Sequence, residues 1–120
     1  MQPRSAALLW DLVTAAKRIQ SFIAGKTWED YGSDLLLRSG VERQFEIAGE
    51  AMSVLRNLDP EPANRVPNIH KIVGMRNILI HGYAEVNNLT VCRTATENVD
   101  DVVAAVEPLL VEAGPPASAS

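Results

Sequence analysis

The sequence predicts an all-α fold, a small antiparallel bundle of four to five helices. Apolar residues recur at helical spacing along most of the chain. The few glycines and prolines cluster at the ends and joints of these runs, as expected for helices joined by short loops. The 120 residues suffice for one domain with one core. We expect a helical domain over residues 1–112 and a flexible tail over residues 113–120.

Two helices are predicted in the first third of the chain. The first is expected from about Ser5 to Ala24 and should end at Gly25, because glycine commonly follows the last residue of a helix. Thr27 then has the features of a new helix start, since it is a capping residue with acidic residues in the turn that follows. This second helix is expected to be short and to reach about Leu37.

The third predicted helix has the most regular pattern in the chain. Its apolar residues follow steps of four and three, which is the spacing of a coiled-coil seam. This seam consists of Val41, Phe45, Ala48, Met52 and Leu55. The segment Asp59–Pro62 should end the helix, because proline lacks a backbone donor and disfavours helical geometry in the residue before it.

Two further helices are predicted in the second half. The fourth should begin near Pro67-Asn68 and end at Gly82. Residues 86–93 are predicted to form a loop in which Leu89–Val91 could be briefly extended. The segment Thr94–Glu97 has capping-box spacing and should start the last helix, whose apolar residues reach Leu110.

Charge and composition exclude several classes of function. The formal net charge of −4 argues against a protein that coats nucleic acid regardless of sequence, although a small positive site remains compatible. The single cysteine, Cys92, rules out an internal disulfide, fits a reducing cytoplasm and disfavours a structural zinc site. No stretch approaches the roughly 20 apolar residues of a membrane span. The first five residues lack the features of a secretory signal, so we expect a cytoplasmic protein without membrane association.

Candidate functional residues concentrate between Arg76 and Tyr83. Arg76 supplies a permanent forked positive charge that suits phosphate, and His81 can take or give a proton near neutral pH. At about 100° per residue, Arg76 and His81 lie about 140° apart around a helix, whereas Asn77 and His81 share a face. A compact site therefore needs the chain to turn at Gly82, or a second copy of the chain in a twofold dimer.

Each of these residues also has a structural interpretation. Arg76 could be a solvated charge or part of a surface salt bridge, His81 could cap the helix end, and Tyr83 could close the core. On the third helix, Glu46 and Glu50 lie one turn apart. A catalytic carboxylate pair is one interpretation, and salt bridges to Arg43 or Arg76 are the interpretation that we favour.

Two segments resemble a known family. The stretch Ile72–Tyr83 resembles the signature of the HepT-like proteins, which belong to the HEPN superfamily of small helical domains. The stretch Phe45–Ala51 resembles the third-helix segment of the same family. The resemblance extends from the first helix to about Leu110, and only the first of the two segments is highly specific.

The resemblance implies a homodimeric helical bundle with a cleft at the twofold axis. It implies a metal-independent endoribonuclease without cofactor, the toxin of a type VII-like toxin–antitoxin pair. The partner would be a nucleotidyltransferase of the MntA type that attaches AMP to the motif tyrosine, here Tyr83. The catalytic pair would be Arg76 and His81. Assembly of the dimer with the antitoxin into a larger hetero-oligomer is compatible with this family.

The expected chemistry needs few groups, because RNA carries its own nucleophile, the 2′-hydroxyl. His81 would act as general acid or base, worth roughly 10²–10⁴-fold, and Arg76 would stabilise the charged phosphorane. Asn77 would orient His81 or contact phosphate, and Glu46 would support the site. Two alternatives stay open. One is a HEPN module that binds a nucleotide or partner without catalysis, and the other is a structural dimer in which Arg76 pairs with Glu46 across the interface.

Overall fold

The computed structural model describes residues 1–114. Within this range the chain forms seven α-helices and a short 3₁₀ turn at Tyr83–Glu85, which confirms the all-α class. The helices are α1 (Pro3–Ile23), α2 (Trp28–Ser33), α3 (Leu35–Leu58), α4 (Pro60–Asn64), α5 (Ile69–His81), α6 (Asn88–Glu97) and α7 (Val99–Ala113). Except for Ala113 and Gly114, the predicted flexible tail lies outside the described residues.

Four longer helices pack side by side, with α1 between α7 and α3, and α3 between α1 and α5. Neighbours run antiparallel: the Ser5 hydroxyl at the start of α1 donates to Asp59 at the end of α3 (2.7 Å). Similarly, Gln20 near the end of α1 donates to Asp100 at the start of α7 (2.8 Å). None of the described helices is both long and apolar enough to cross a membrane.

The core follows the predicted seam of α3. All five seam residues are buried, and they contact apolar residues of α1, α5, α6 and α7 in one continuous cluster. The largest fully buried side chains include Leu9, Leu12, Ile19, Tyr31, Phe45, Met52 and Leu55. Burial of apolar side chains at about 25 cal/mol per Å² is the main force that holds these helices together.

The boundary between α2 and α3 differs from the prediction. The start of α2 is confirmed, because Thr27 and Asp30 form a reciprocal capping box with distances of 2.9 and 3.1 Å. However, α2 ends at Ser33 rather than near Leu37. The Asp34 carboxylate accepts from the backbone N–H of Leu37 (3.0 Å) and so caps a new helix.

The prolines after α3 both break one helix and begin another. As predicted, α3 ends before them, at Leu58. The segment then forms the short helix α4, with Pro60 in its first turn, where a missing backbone donor removes no intrahelical hydrogen bond. Together with α6, which was also not predicted, this helix raises the number of α-helices in residues 1–114 to seven, above the predicted four to five.

The predicted loop at residues 86–93 is wrong. The side chain of Asn87 accepts from the backbone N–H groups of Leu89 (2.9 Å) and Thr90 (3.2 Å) and begins α6. The predicted cap at Thr94 is also wrong, because Thr94 lies inside α6 and its hydroxyl donates to the Thr90 carbonyl (2.9 Å). The last helix instead begins after Asn98.

The helix that carries the motif begins and ends as predicted. Asn68 precedes α5 with φ 62°, and its side chain donates to the carbonyl of Asn98 (3.2 Å). Gly82 ends α5, where its N–H donates to the carbonyl of Ile78 (2.9 Å). The chain then turns directly into the 3₁₀ segment that holds Tyr83, so the motif lies at one end of α5.

Candidate functional site

The position of Arg76 depends on a close approach between α3 and α5. At Gly49 on α3, an added Cβ atom would collide with the Cβ of Arg76 and would lie 2.9 Å from the carbonyl oxygen of Ile72. Only glycine leaves room for the two helices at this distance. Gly49 therefore sets the distance between α3 and α5, and with it the position of Arg76 at the groove.

The guanidinium of Arg76 is held by two partners. Its Nη2 lies 2.9 Å from Oε2 of Glu50, and its Nη1 donates to Oδ1 of Asn77 (3.0 Å). Its Nε is buried without a partner among the described residues. The side chain keeps 24% exposure and lines an open groove of about 370 Å³ between α1, α3 and α5. A fixed, partly exposed guanidinium of this kind can bind phosphate.

Glu46 and Glu50 of α3 form the salt bridges that the sequence favours. Glu46 lies 3.6 Å from Arg43, and Glu50 pairs with Arg76. Glu46 lines the same groove, so it contributes negative charge near Arg76 without contacting it. The carboxylate that holds Arg76 is therefore Glu50 rather than Glu46, the residue that the sequence predicts in the supporting role.

His81 and Arg76 lie on different sides of α5. His81 is the last residue of the helix and is exposed. It does not line the groove of Arg76, whereas Ile80 does. The sequence predicts that Asn77 orients His81 or contacts phosphate. In the structure the side-chain oxygen of Asn77 accepts from Arg76, and its amide NH₂ remains for another partner.

Tyr83 lies beside a buried acid that the sequence did not indicate. Tyr83 is 62% exposed, so the interpretation that it closes the core is wrong. Burial raises the pKa of the Glu42 carboxyl, and hydrogen bonding with Tyr83 and the charge of Arg38 offset part of this rise. Burial also raises the pKa of Tyr31, whose hydroxyl lacks a partner among the described residues. Glu42 of α3 and Tyr83 of the 3₁₀ turn thus form a polar pair where the end of α5 meets α3.

The sequence analysis did not identify Gly49 or Glu42 as part of the site, and only one of them could have been recognised from the sequence. Gly49 had a signal, because a glycine inside a strongly periodic helix lowers its stability and usually has a packing reason. Glu42 had none, since a charged residue beside an apolar seam is normally at the surface. Within residues 1–114, no three His, Cys, Asp or Glu side chains come close enough together to hold a metal ion.

Comparisons with known proteins agree on one family. The family model described as "Ribonuclease HepT-like" matches residues 12–109. The chain is 28% identical over 103 residues to "Putative RNase MJ1380" of Methanocaldococcus jannaschii, covering 84% of this chain and 92% of that protein. It is 32% identical over 88 residues to "Putative RNase TTE0752" of Caldanaerobacter subterraneus subsp. tengcongensis, covering 73% of this chain and 78% of that protein. No solved structure gives a significant match.

The matched region contains α2 to α6 and most of α1 and α7. It includes Gly49 and Glu50 on α3, and Arg76 and His81 on α5. The helical fold and the family match therefore support the same assignment, and the chain belongs to the HepT-like ribonuclease family of the HEPN superfamily.

Proposed function

We propose that the protein is a metal-independent endoribonuclease that works as a homodimer, with Arg76 and His81 as its catalytic residues. The observation that carries this proposal is how the guanidinium of Arg76 is held. Its guanidinium is fixed by Glu50 and Asn77 and still faces an open groove. Holding a cation in place before substrate binds is what electrostatic stabilisation of a transition state requires.

The separation of the two residues around α5 supports the proposal of a dimer. Within one chain, Arg76 lines the α1/α3/α5 groove and His81 does not. Beside Arg76, Ile80 is 45% exposed, and the half-buried Leu8 and Ile47 extend the apolar area. A second copy that covers this area would bring its own α5 to the same cleft, so that each site could combine residues of both chains.

The reaction that fits these residues is attack of the 2′-oxygen of RNA on the adjacent phosphorus. The bond from phosphorus to the 5′-oxygen breaks, which leaves a 2′,3′-cyclic phosphate and a 5′-hydroxyl. His81 moves the proton, as general base for the 2′-hydroxyl or as general acid for the leaving oxygen. Arg76 offsets the charge on the phosphorane, and the free amide of Asn77 can donate to a phosphate oxygen. Glu46 supports the site indirectly through Arg43.

We further propose that the protein is the toxin of a toxin–antitoxin pair and is silenced by AMP addition to Tyr83. Tyr83 is mostly exposed, so a nucleotidyltransferase of the MntA type can reach its hydroxyl. AMP at this position would place a bulky negative charge beside the phosphate site and would repel RNA. The antitoxin would then bind at the end of α5, and a larger hetero-oligomer would follow from two such sites per dimer.

The test is cleavage of a labelled RNA pool in EDTA by the wild type, His81→Ala and Arg76→Ala. The matched control is Arg56→Ala, which removes an exposed arginine of α3 outside the site. We expect cyclic phosphate ends from the wild type and the control only. If folded wild type of unmodified mass cleaves no RNA, the protein is a non-catalytic HEPN module instead. If activity needs an added metal ion, the proposed mechanism is wrong.

A further inference from the structure

A second groove runs along the other side of α5. It lies between α5 and α6 and has a volume of about 430 Å³. His70 and Lys71 line it from α5, and Arg93 lines it from α6. A smaller cavity of about 160 Å³ shares three of its lining residues and continues toward the 3₁₀ turn at Glu85. The two cavities therefore form one track that leads toward the motif end of α5.

The track holds free positive charge, unlike the groove of Arg76. Neither Lys71 nor Arg93 forms an ion pair with another described residue, whereas Arg43 and Arg76 are both paired. Two acids also line the track: Glu97 lies on the same wall as Arg93, and Glu85 lines the smaller cavity near the 3₁₀ turn. In a chain of net charge −4, one unpaired cation therefore lines this groove from each of its two helices.

Helix geometry connects this track with His81. His81 follows His70 by eleven residues, which places it about 20° further around α5 and about 16 Å further along its axis. Ile78 lines the track and lies on the same side of the helix. A strand that follows the track would therefore pass over the face of α5 on which His81 lies.

We propose that the α5/α6 groove binds the sugar-phosphate backbone of single-stranded RNA next to the bond that is cut. Lys71 and Arg93 contact phosphates, and Thr90, which also lines the track, offers a hydroxyl. A space between two neighbouring helices admits one strand more readily than a duplex. Contacts to the backbone carry no sequence information, so this part of the site is tolerant of sequence. The inference rests on the proposed ribonuclease function.

The experiment measures binding without cleavage. Fluorescence anisotropy of a labelled single-stranded RNA is followed against salt concentration, with all variants built on His81→Ala. Each phosphate contact to a single strand adds about 0.7 to the salt slope. The added pair Lys71→Ala and Arg93→Ala should therefore lower the slope by about 1.4, which makes the affinity loss between 50 and 200 mM salt about sevenfold smaller. Glu97→Gln should have the opposite effect on affinity and tighten binding.

The control pair is Arg18→Ala and Arg56→Ala, which removes the same charge from exposed residues outside the groove. It should leave the slope close to that of His81→Ala. Equal slopes for the groove pair and the control pair would overturn the proposal, as would Glu97→Gln binding no tighter than its parent. Lys71 and Arg93 are exposed, so folding of the pair is expected and is checked by circular dichroism. If the pair does not fold, Glu97→Gln alone decides.

The two proposals fail in different ways. A wild type that cleaves no RNA, together with a groove pair of reduced slope, would remove the proposed ribonuclease function and keep the RNA groove. Cleavage by the wild type, together with an unchanged slope, would keep the function and assign the groove to another occupant, such as a protein partner.

Discussion

Replacing Gly49 with alanine tests whether the α3–α5 contact positions Arg76. Inside a helix, alanine is more favourable than glycine by about 1 kcal/mol. Here the added Cβ would meet the Cβ of Arg76 and the carbonyl oxygen of Ile72, at 2.9 Å from the latter. Neither atom belongs to the flexible end of a side chain, so α5 itself must move away from α3.

Overpacking of a core usually costs about 1–3 kcal/mol. We take the upper end, because the obstacle at Gly49 is a helix rather than a side chain that can change rotamer. After the gain in helix propensity, the net loss of unfolding free energy is about 2 kcal/mol. For a domain of this size that corresponds to a fall in Tm of about 8 °C.

Gly74→Ala is the matched control. Gly74 is also helical, but an added Cβ there has no neighbour within 4 Å. This variant should therefore keep the propensity gain and be more stable than the wild type by about 0.5–1 kcal/mol. Both variants are unfolded thermally and by urea, followed by far-UV circular dichroism. Equal protomer concentrations are needed, since dimerisation would raise Tm. If Gly49→Ala is as stable as Gly74→Ala, the close approach does not limit the packing of α5.

Three further predictions concern the ends of the motif. Glu42→Gln should remove a pH dependence: because the pKa of Glu42 is raised on folding, the wild type should lose stability as pH rises from about 4.3 through that higher pKa. Urea unfolding at pH 4 and 7 measures this, and an equal pH dependence in the variant would contradict it. Tyr83→Phe should keep cleaving RNA and gain no AMP mass with nucleotidyltransferase and ATP; added mass would exclude Tyr83 as sole acceptor. Glu50→Gln should change the unfolding free energy by about 1 kcal/mol or less, because Glu50 is exposed and Arg76 keeps partial contact with solvent, but it should tighten RNA binding by freeing the Arg76 charge. Anisotropy in the His81→Ala background checks this, and weaker binding would mean that Glu50 chiefly orients Arg76.

The fold was predictable where one physical pattern dominated. The α3 seam was predicted correctly, because burying one side of a helix forces apolar residues into steps of three and four. The helix α6 was missed, because Leu89–Val91 includes β-branched residues that favour extended structure when read alone. The segment is helical because Asn87 caps its start and because Val91 and Ala95 are buried against the bundle. Burial against other helices cannot be recognised from the residue pattern of a short segment alone.

The sequence proposes which residues form the candidate site, but it does not predict how they are arranged. Arg76, His81 and Tyr83 stand out because their chemistry is concentrated in one short segment. The partners of that segment lie on α3: Gly49 and Glu42 are 27 and 41 residues before Arg76 and Tyr83, respectively. Contacts over such separations depend on how the helices pair, and a single sequence does not encode that pairing in a readable form.

The charges on the two sides of α5 fit one account of the proposed activity. An acidic chain repels RNA in general, which limits binding to places where cations are concentrated. On one side of α5, Arg76 is paired with Glu50, so it attracts RNA weakly until a phosphate competes for its guanidinium. On the other side, Lys71 and Arg93 are unpaired and can hold a strand from the start. The α5/α6 groove would then provide most of the RNA affinity, and Arg76 would act mainly when charge develops on the phosphorane. That division predicts that removing Arg76 lowers the rate of cleavage more than it lowers affinity, and that removing Lys71 and Arg93 does the reverse.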